Sequence, residues 1–354
     1  MQDDMHRSAR RPVFGGIWFP VLTDMPPSQS APPHTPPRTA DPTVVVALGG
    51  HAFVQHGEGG GHEDHLRNAA RICESLMTLV ERGYQVVITH GNGPQVGILL
   101  EQDERSRDEL PGFPLDVHVA QTEGSLGYYL QQALLNSLRK RDIRRFVVTV
   151  ITQVIVDADD PAFENPTKPV GPFLSETDAR QREKEFGWIV GEDAGRGWRR
   201  LVPSPFPRKI IQRDMIGEAA ARGHIVVAAG GGGIPVRKTA SGDYEGVEAV
   251  IDKDRTSGVL ATEVRADLLL ILTDIDCVYL DYQSPDPRPL GAVTLAECAR
   301  YIKAGHFPPG SMGPKVQAIH DFLLDGGARG LITSPDRLNE ALAGEAGTHF
   351  IGRI

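Results

Sequence analysis

The chain has few cysteines, few aromatic residues and no long apolar run, and each scarcity excludes a class of protein. Only 3 of its 354 residues are cysteine, and Cys73, Cys277 and Cys298 form no CxxC motif. Widely spaced thiols of odd number argue against a disulfide-stapled secreted domain and favour a reducing, cytoplasmic location. Aromatic residues make up 6% of the chain and its mean hydropathy is −0.23. Because no run of about 18 apolar residues occurs, we expect no transmembrane helix and no membrane partner.

The charged residues are unevenly distributed between types. Asp and Glu number 46 against 37 Lys and Arg, which gives a formal net charge of −9. General nucleic-acid binding needs a basic face, so this balance excludes it as the main activity. Only 8 of the basic residues are lysine, and 29 are arginine. Since an ammonium and a guanidinium are not interchangeable, each lysine is a candidate for a role that needs a compact charge.

The organisation of the chain changes near residue 43. Residues 1–42 hold nine of the 27 prolines and no sustained periodicity, so we predict a disordered proline-rich extension there. Beyond it, short continuous apolar runs occupy residues 43–48, 85–89, 146–151, 224–229, 268–272 and 330–333. Helical spacing covers 66–80, 126–133 and 316–323, and Thr294 with Glu297 predicts a capping box. This alternation predicts an α/β domain over 43–354 with a mainly parallel sheet, interrupted by a Pro-, Gly- and charge-rich inserted lobe at 156–207.

Glycine-rich turns follow several of the predicted strands. They include residues 49–51 (GGH), 91–93 (GNG) and 230–233 (GGGG). Ligands of open parallel sheets bind beyond the carboxyl ends of the strands, and glycine lets backbone N–H groups approach an anion closely. The sequence contains neither a Walker A motif nor the dinucleotide GxGxxG fingerprint, and a histidine-rich loop at 51–65 lacks the spacing of a zinc site. We therefore predict a phosphate site between glycine turns, without a resident metal.

Four of the eight lysines lie in Gly, Pro or Asp contexts: Lys168, Lys209, Lys253 and Lys315. Lys253 stands between two aspartates, either of which can hold its ammonium group. Phosphoryl transfer requires positioned cations that neutralise the charge on the phosphoryl oxygens, and it requires little covalent work from the protein. The scarce lysines therefore predict a phosphotransferase site.

Eight segments, in order, resemble those of the carbamate kinases of the amino-acid kinase superfamily. They are ALGG (47–50), THGNGPQVG (89–97), NPTKPVGPF (165–173), VPSPFP (202–207), AAGGGGIPV (228–236), GVEAVIDKD (246–254), ILTDID (271–276) and GSMGPKV (310–316). The resemblance implies a three-layer αβα sandwich with a protruding lobe, usually a homodimer. It also implies reversible phosphoryl transfer between ATP and carbamate to give ADP and carbamoyl phosphate, often run toward ATP in arginine or ureide breakdown.

Site roles follow from the same resemblance. It implies that carbamoyl phosphate or the transferred group is held by Gly49, Gly50, Gly91, Asn92 and Gly93. Lys253 and Lys315 would neutralise phosphates, Asp254 would orient these lysines, and Lys168 would reach down from the lobe. The residues implied along the nucleotide are Gly231, Gly232, Gly233, Thr273, Asp274, Tyr279 and Met312. Magnesium would arrive with ATP or ADP, held mostly by phosphates and water.

One position departs from the family pattern. The first glycine turn reads GGNA in these kinases, whereas this chain has His51 in place of the asparagine. An imidazole is larger than the amide and titrates near neutrality, so His51 leaves open a different small acid as acceptor. A third hypothesis is a non-catalytic partner that binds carbamoyl phosphate or nucleotide; it is disfavoured by the joint presence of Lys253, Asp254 and Lys315.

Overall fold

A computed structural model describes residues 41–49, 52–55, 57–193, 197–282 and 284–352. Nearly all of the predicted N-terminal extension lies outside these residues, as do Gly50 and His51. The described helices are α1 (His62–Glu81), α2 (Gly93–Arg105), α3 (Leu115–Lys140), α4 (Glu176–Phe186), α5 (Arg213–Ala221), α6 (Lys253–Glu263), α7 (Leu295–Lys303), α8 (Met312–Leu324) and α9 (Leu338–Ala343). The described strands are β1 (Thr43–Leu48), β2 (Gln85–His90), β3 (Val147–Val150), β4 (Gln153–Ile155), β5 (Lys168–Leu174), β6 (Ile189–Glu192), β7 (Trp198–Val202), β8 (Lys209–Ile210), β9 (Ile225–Ala228), β10 (Ile234–Lys238), β11 (Tyr244–Gly246), β12 (Leu268–Leu272), β13 (Tyr279–Leu280), β14 (Arg288–Pro289), β15 (Ala292–Thr294), β16 (Arg329–Thr333) and β17 (Thr348–Ile351).

The central sheet has the strand order β15-β17-β16-β12-β1-β2-β9-β3 within the described part of the chain. Each of the six apolar runs in the sequence forms one of its strands. All pairings are parallel except that between β16 and β17, which run antiparallel. The prediction of a mainly parallel sheet is therefore confirmed.

Helices cover both faces of this sheet, because the side chains of the buried strands alternate between two cores. On β1, Val45 and Ala47 face a core completed by α5, α6, α7 and α8. Val44 and Val46 face the opposite core, completed by α1, α3 and α9. The three-layer αβα architecture predicted from the sequence is thus confirmed.

Three smaller sheets lie outside the central one within the described residues. β13 and β14 form an antiparallel pair, and β11, β10, β4 and β8 form a four-stranded sheet in that order. β5, β7 and β6 form an antiparallel sheet, with α4 between β5 and β6 in sequence. The elements of this three-stranded sheet all fall within residues 156–207, the segment for which an inserted lobe is predicted.

No helix among the described residues is both long enough and apolar enough to cross a bilayer.

Candidate active site

Four neighbouring strands end at the same edge of the central sheet. Leu48 at the end of β1 is in register with His90 of β2 and with Leu272 of β12. β9 lies parallel to β2 on its other side. The Gly49 N–H donates to the Leu272 carbonyl at 3.0 Å, which ties the first glycine turn to β12. The glycine turns at 49, 91 and 230–233 and Thr273 therefore meet along one edge.

Helix α6 begins at this edge, and Asp252 is its N-cap. One oxygen of Asp252 accepts from the backbone N–H groups of Asp254 at 3.0 Å and Arg255 at 3.3 Å. The other accepts from the Lys168 ammonium at 2.7 Å. Burial acts to raise the pKa of Asp252, but the ammonium groups of Lys168 and Lys253 outweigh it and the pKa is lowered. One carboxylate thus starts the helix and holds the lysine of β5.

Each carboxylate oxygen of Asp254 accepts a hydrogen bond from one ammonium group. Lys253 donates to Oδ1 at 2.5 Å and Lys315, from the first turn of α8, donates to Oδ2 at 3.0 Å. Asp254 and Lys253 are buried and Lys315 is nearly so. Burial lowers the pKa of Lys253, whereas for Lys315 the attraction of Asp254 outweighs burial and raises the pKa. The Asp254 carboxylate therefore holds two cations side by side at the edge of the sheet.

The third glycine turn lies between the starts of α2 and α6. Gly231 and Gly232 have φ of 68° and 96°, a region that side chains with a Cβ rarely adopt. A Cβ on Gly231 would lie 2.2 Å from Nδ2 of Asn92, and one on Gly232 would lie 2.4 Å from the carbonyl oxygen of Ile251. Asn92 itself is buried and donates to the Thr122 hydroxyl at 2.9 Å. Only glycine fits a chain that passes this closely between the two helices.

The strand carrying Lys168 reaches the site through a contact between two glycines. Gly97 on α2 faces Gly171 on β5, and a Cβ on Gly97 would lie 1.8 Å from the Gly171 Cα. The absence of side chains here lets β5 lie directly on α2. Lys168, three residues before Gly171, is thereby brought to Asp252.

The remaining predicted residues flank this cluster. Gly93 opens α2, Gly233 ends the third glycine turn with a φ of 83°, and Met312 opens α8. The Thr273 N–H, directly after β12, donates to the Thr333 carbonyl at 3.0 Å, and Asp274 adds to the raised pKa of Lys315. Tyr279 opens β13 and is half-buried.

Lys209, the fourth lysine singled out in the sequence, lies elsewhere. It is exposed on β8, and its charge acts on Glu263 at the last residue of α6. An eleven-residue helix spans about 16 Å, which separates Lys209 from Lys253 at the opposite end.

Two residues of the site are absent from the sequence-based predictions. Asp252 enters them only as one of the two aspartates beside Lys253, although an Asp directly before a helix is an N-cap signal. Glu123 is fully buried beneath the third glycine turn. Its signal was an acidic residue in line with Val119, Leu126 and Leu130, the buried face of α3.

Comparison with known proteins agrees with this geometry. Residues 42–334 match the model of the amino acid kinase family. A carbamate kinase of Thermococcus kodakarensis is 49% identical over 311 residues, which cover 87% of this chain and 98% of that protein.

Solved structures agree at the level of the fold. The carbamate kinase of Giardia lamblia bound to citric acid superposes with a TM-score of 0.84 at 39% identity, and covers 89% of this chain and 99% of its own. The same enzyme bound to AMP-PNP gives a TM-score of 0.82 at 40% identity over the same shares of the two chains. The chain belongs to the carbamate kinases of the amino acid kinase family.

Proposed function

We propose that this protein is a carbamate kinase, which transfers a phosphoryl group reversibly between ATP and carbamate and produces ADP and carbamoyl phosphate. The observation that carries the proposal is the pair of ammonium groups, Lys253 and Lys315, held on one buried carboxylate at the edge of the sheet. Charge that spreads over phosphoryl oxygens during transfer is stabilised by cations already in place. A carbamate kinase whose sequence is 49% identical to this chain supports carbamate as the acceptor.

Each part of the site has a role in this reaction. Lys253 and Lys315 neutralise the transferred phosphoryl group, and Asp254 fixes their separation. Lys168 contacts the carbamoyl phosphate side, where Gly91 and Asn92 offer N–H donors and Gly49, whose own N–H is bonded to the Leu272 carbonyl, lets the substrate lie close to the turn. The turn at 231–233 contacts the nucleotide together with Thr273, Asp274, Tyr279 and Met312. The AMP-PNP complex of the Giardia enzyme supports ATP as that nucleotide.

Magnesium fits this site only as a partner of the nucleotide. All four oxygens of Asp252 and Asp254 accept hydrogen bonds from ammonium or backbone N–H groups. These carboxylates are therefore already occupied by hydrogen-bond donors. We propose that Mg²⁺ is bound by phosphate oxygens and water, because the ion dehydrates reluctantly. When bound, the ion would neutralise phosphate charge alongside the lysines.

The physiological direction proposed is ATP synthesis in arginine or ureide breakdown. Carbamoyl phosphate is a mixed anhydride, so transfer of its phosphoryl group to ADP is the favoured direction. A cytoplasmic location is supported by three free cysteines, of which Cys73 and Cys298 are buried.

We also propose a homodimer formed through α3 and the edge strand β3. Tyr128 on α3 is 58% exposed, and Phe146 and Ile151, which flank β3, are 69% and 47% exposed. An open sheet edge beside exposed apolar side chains is a surface that a second copy can cover.

A coupled assay with carbamoyl phosphate and ADP tests the activity. We expect ATP formation by the wild type and its loss in Lys253→Ala, because removing one charge stabiliser costs about 10²–10³-fold in kcat. Lys303→Ala, at an exposed lysine of α7, is the matched control and should retain activity.

Three outcomes would contradict the proposal in different ways. Wild-type ATP formation no higher than that of Lys253→Ala would exclude the kinase. A panel of small acids is offered to the wild type and to His51→Asn. If the wild type turns over another acid in preference to carbamate, the proposed acceptor is wrong. Nucleotide binding by calorimetry without turnover would favour the non-catalytic alternative.

A further inference from the structure

The entrance to the third glycine turn is held in an uncommon conformation by two side chains from other segments. Ala229, which is not a glycine, has a φ of 51°. Such a conformation persists only where the surroundings over-determine it. The Ala229 N–H donates to the Thr152 hydroxyl at 2.9 Å, and the next N–H, that of Gly230, donates to Oε1 of Glu123 at 2.9 Å.

Glu123 links three segments through one carboxylate. Its second oxygen accepts from the Thr152 N–H at 3.0 Å, so α3, the connection between β3 and β4, and the glycine turn all meet at this group. Glu123 is fully buried, and burial raises its pKa to about 8 against the effect of the two backbone donors. Burying a carboxyl group is costly unless its partners compensate.

Tight packing transmits the position of this turn to the reacting groups. A Cβ on Gly230 would lie 2.5 Å from Nε2 of the buried His90, so the turn has no room to shift toward β2. On the other side, the Gly232 carbonyl accepts from the Thr256 hydroxyl of α6 at 2.8 Å. A movement of the turn would therefore displace the start of α6, where Lys253 lies.

We propose that Glu123, together with Thr152, is a positioning residue for phosphoryl transfer. The pair fixes the turn at 229–233 between Asn92 and the start of α6, and so fixes the distance between bound phosphate and the ammonium groups. Both side chains are fully buried, so they act through the backbone of the turn instead of contacting substrate. The inference rests on the proposed kinase function for its effect on rate, and its effect on the turn is measurable without activity.

Two substitutions test whether Glu123 and Thr152 hold the turn, and each has a matched control. Glu123→Gln removes one of two acceptors, and the near-isosteric Thr152→Val removes the acceptor for the Ala229 N–H. Thr152→Ser keeps that acceptor and should restore activity. Glu263→Gln is the control for a partly buried carboxylate bonded to backbone, since Glu263 accepts from the Ile210 N–H at the far end of α6.

We expect kcat for ATP formation to fall about 10- to 100-fold in Glu123→Gln and Thr152→Val, because a misplacement of about 1 Å can cost 10²-fold. The KM for ADP should rise less than kcat falls, since the turn shifts whereas Thr273, Asp274, Tyr279 and Met312 stay in place. Thr152→Ser and Glu263→Gln should keep near-wild-type kcat. Hydrogen exchange of peptides spanning 225–234 should be faster in the first two variants only.

Each contrary result overturns the inference. If kcat in both variants stays within threefold of wild type, or if Glu263→Gln loses as much, the pair does not position the reaction. If exchange at 225–234 is unchanged, the pair does not hold the turn, whatever the activity. An inactive wild type would refute the kinase function separately, and the exchange result would still decide whether Glu123 and Thr152 hold the turn.

Discussion

Asp254 is the residue on which the arrangement of the two buried lysines depends. An asparagine would accept a hydrogen bond from one ammonium group and turn its own NH₂ group toward the other. Lys253 and Lys315 would then repel each other, because no shared anion would lie between them. We expect Asp254→Asn to lower kcat for ATP formation by about 10²-fold or more, the cost typical of a lost electrostatic stabiliser. Steady-state kinetics measures this, with the exposed Asp325→Asn at the end of α8 as control. Equal kcat values for the two variants would remove Asp254 from the mechanism.

His90 makes the fold sensitive to acid. It is fully buried, its Nδ1–H donates to the Gly91 carbonyl at 3.0 Å, and burial lowers its pKa from 6.5 to about 4. Below pH 6.5 the unfolded chain takes up a proton that the folded protein does not, so the free energy of unfolding falls as the pH drops from 6.5 to 4.

Urea denaturation between pH 7 and 4.5 checks this effect. In His90→Leu the free energy of unfolding should decline less steeply over that interval, although the variant is less stable at pH 7. Parallel declines in the two proteins would show that His90 is protonated normally in the folded state.

Among the contacts between secondary-structure elements, that of α2 with β5 is the most sensitive to the addition of a single methyl group. Gly97→Ala would place a Cβ 1.8 Å from the Gly171 Cα, so β5 must move and draw Lys168 away from Asp252. We expect kcat/KM for carbamoyl phosphate to fall at least about tenfold, with a loss of about 1–3 kcal/mol in stability from overpacking.

Gly124→Ala is the matched control for this substitution, because Gly124 is also helical and no atom lies within 4 Å of its Cβ position. It should keep its activity and gain up to about 1 kcal/mol in stability. Kinetics together with thermal unfolding distinguishes the two. A Gly97→Ala enzyme with unchanged kcat/KM would mean that the position of Lys168 does not depend on this contact.

Elements specified by local pattern were predicted well from the sequence. β1 and β12 have the predicted bounds, because continuous apolar runs ended by glycine or a polar turn occur in strands buried on both faces. The capping box of Thr294 and Glu297 opens α7 as predicted. The antiparallel β17 was missed, since strand pairing between distant segments leaves no local signal.

The positions of some candidate site residues also follow from local pattern. Lys253 and Lys315 stand in recognisable local contexts, and the structure brings both to Asp254. The bond between Lys168 and Asp252 depends on how β5 packs on α2, and the bonds of Glu123 depend on three segments far apart in sequence. Such contacts are properties of the tertiary fold and could not be read from one stretch of chain.

At the scale of the whole molecule, the proposed dimer predicts a mass in solution of about twice the 38.4 kDa of one chain. We expect Tyr128→Asp with Phe146→Asp to shift the protein toward monomer, because two buried charges would face each other across the interface. Light scattering coupled to size-exclusion chromatography measures the mass. Leu324→Asp, at an exposed leucine of α8, is the control. A monomeric wild type would exclude the dimer.

The pairing of cations with carboxylates also determines how the molecule meets its substrates. Lys168, Lys253 and Lys315 are balanced by Asp252, Asp254 and the nearby Asp274, and the whole chain carries −9. We therefore expect an anionic nucleotide to meet no attractive long-range field, so that electrostatic steering does not speed its encounter with the site. We therefore expect recognition of phosphate to be a short-range event, and dissolved salt, which screens distant charges more than contacting ones, should not slow the arrival of substrates.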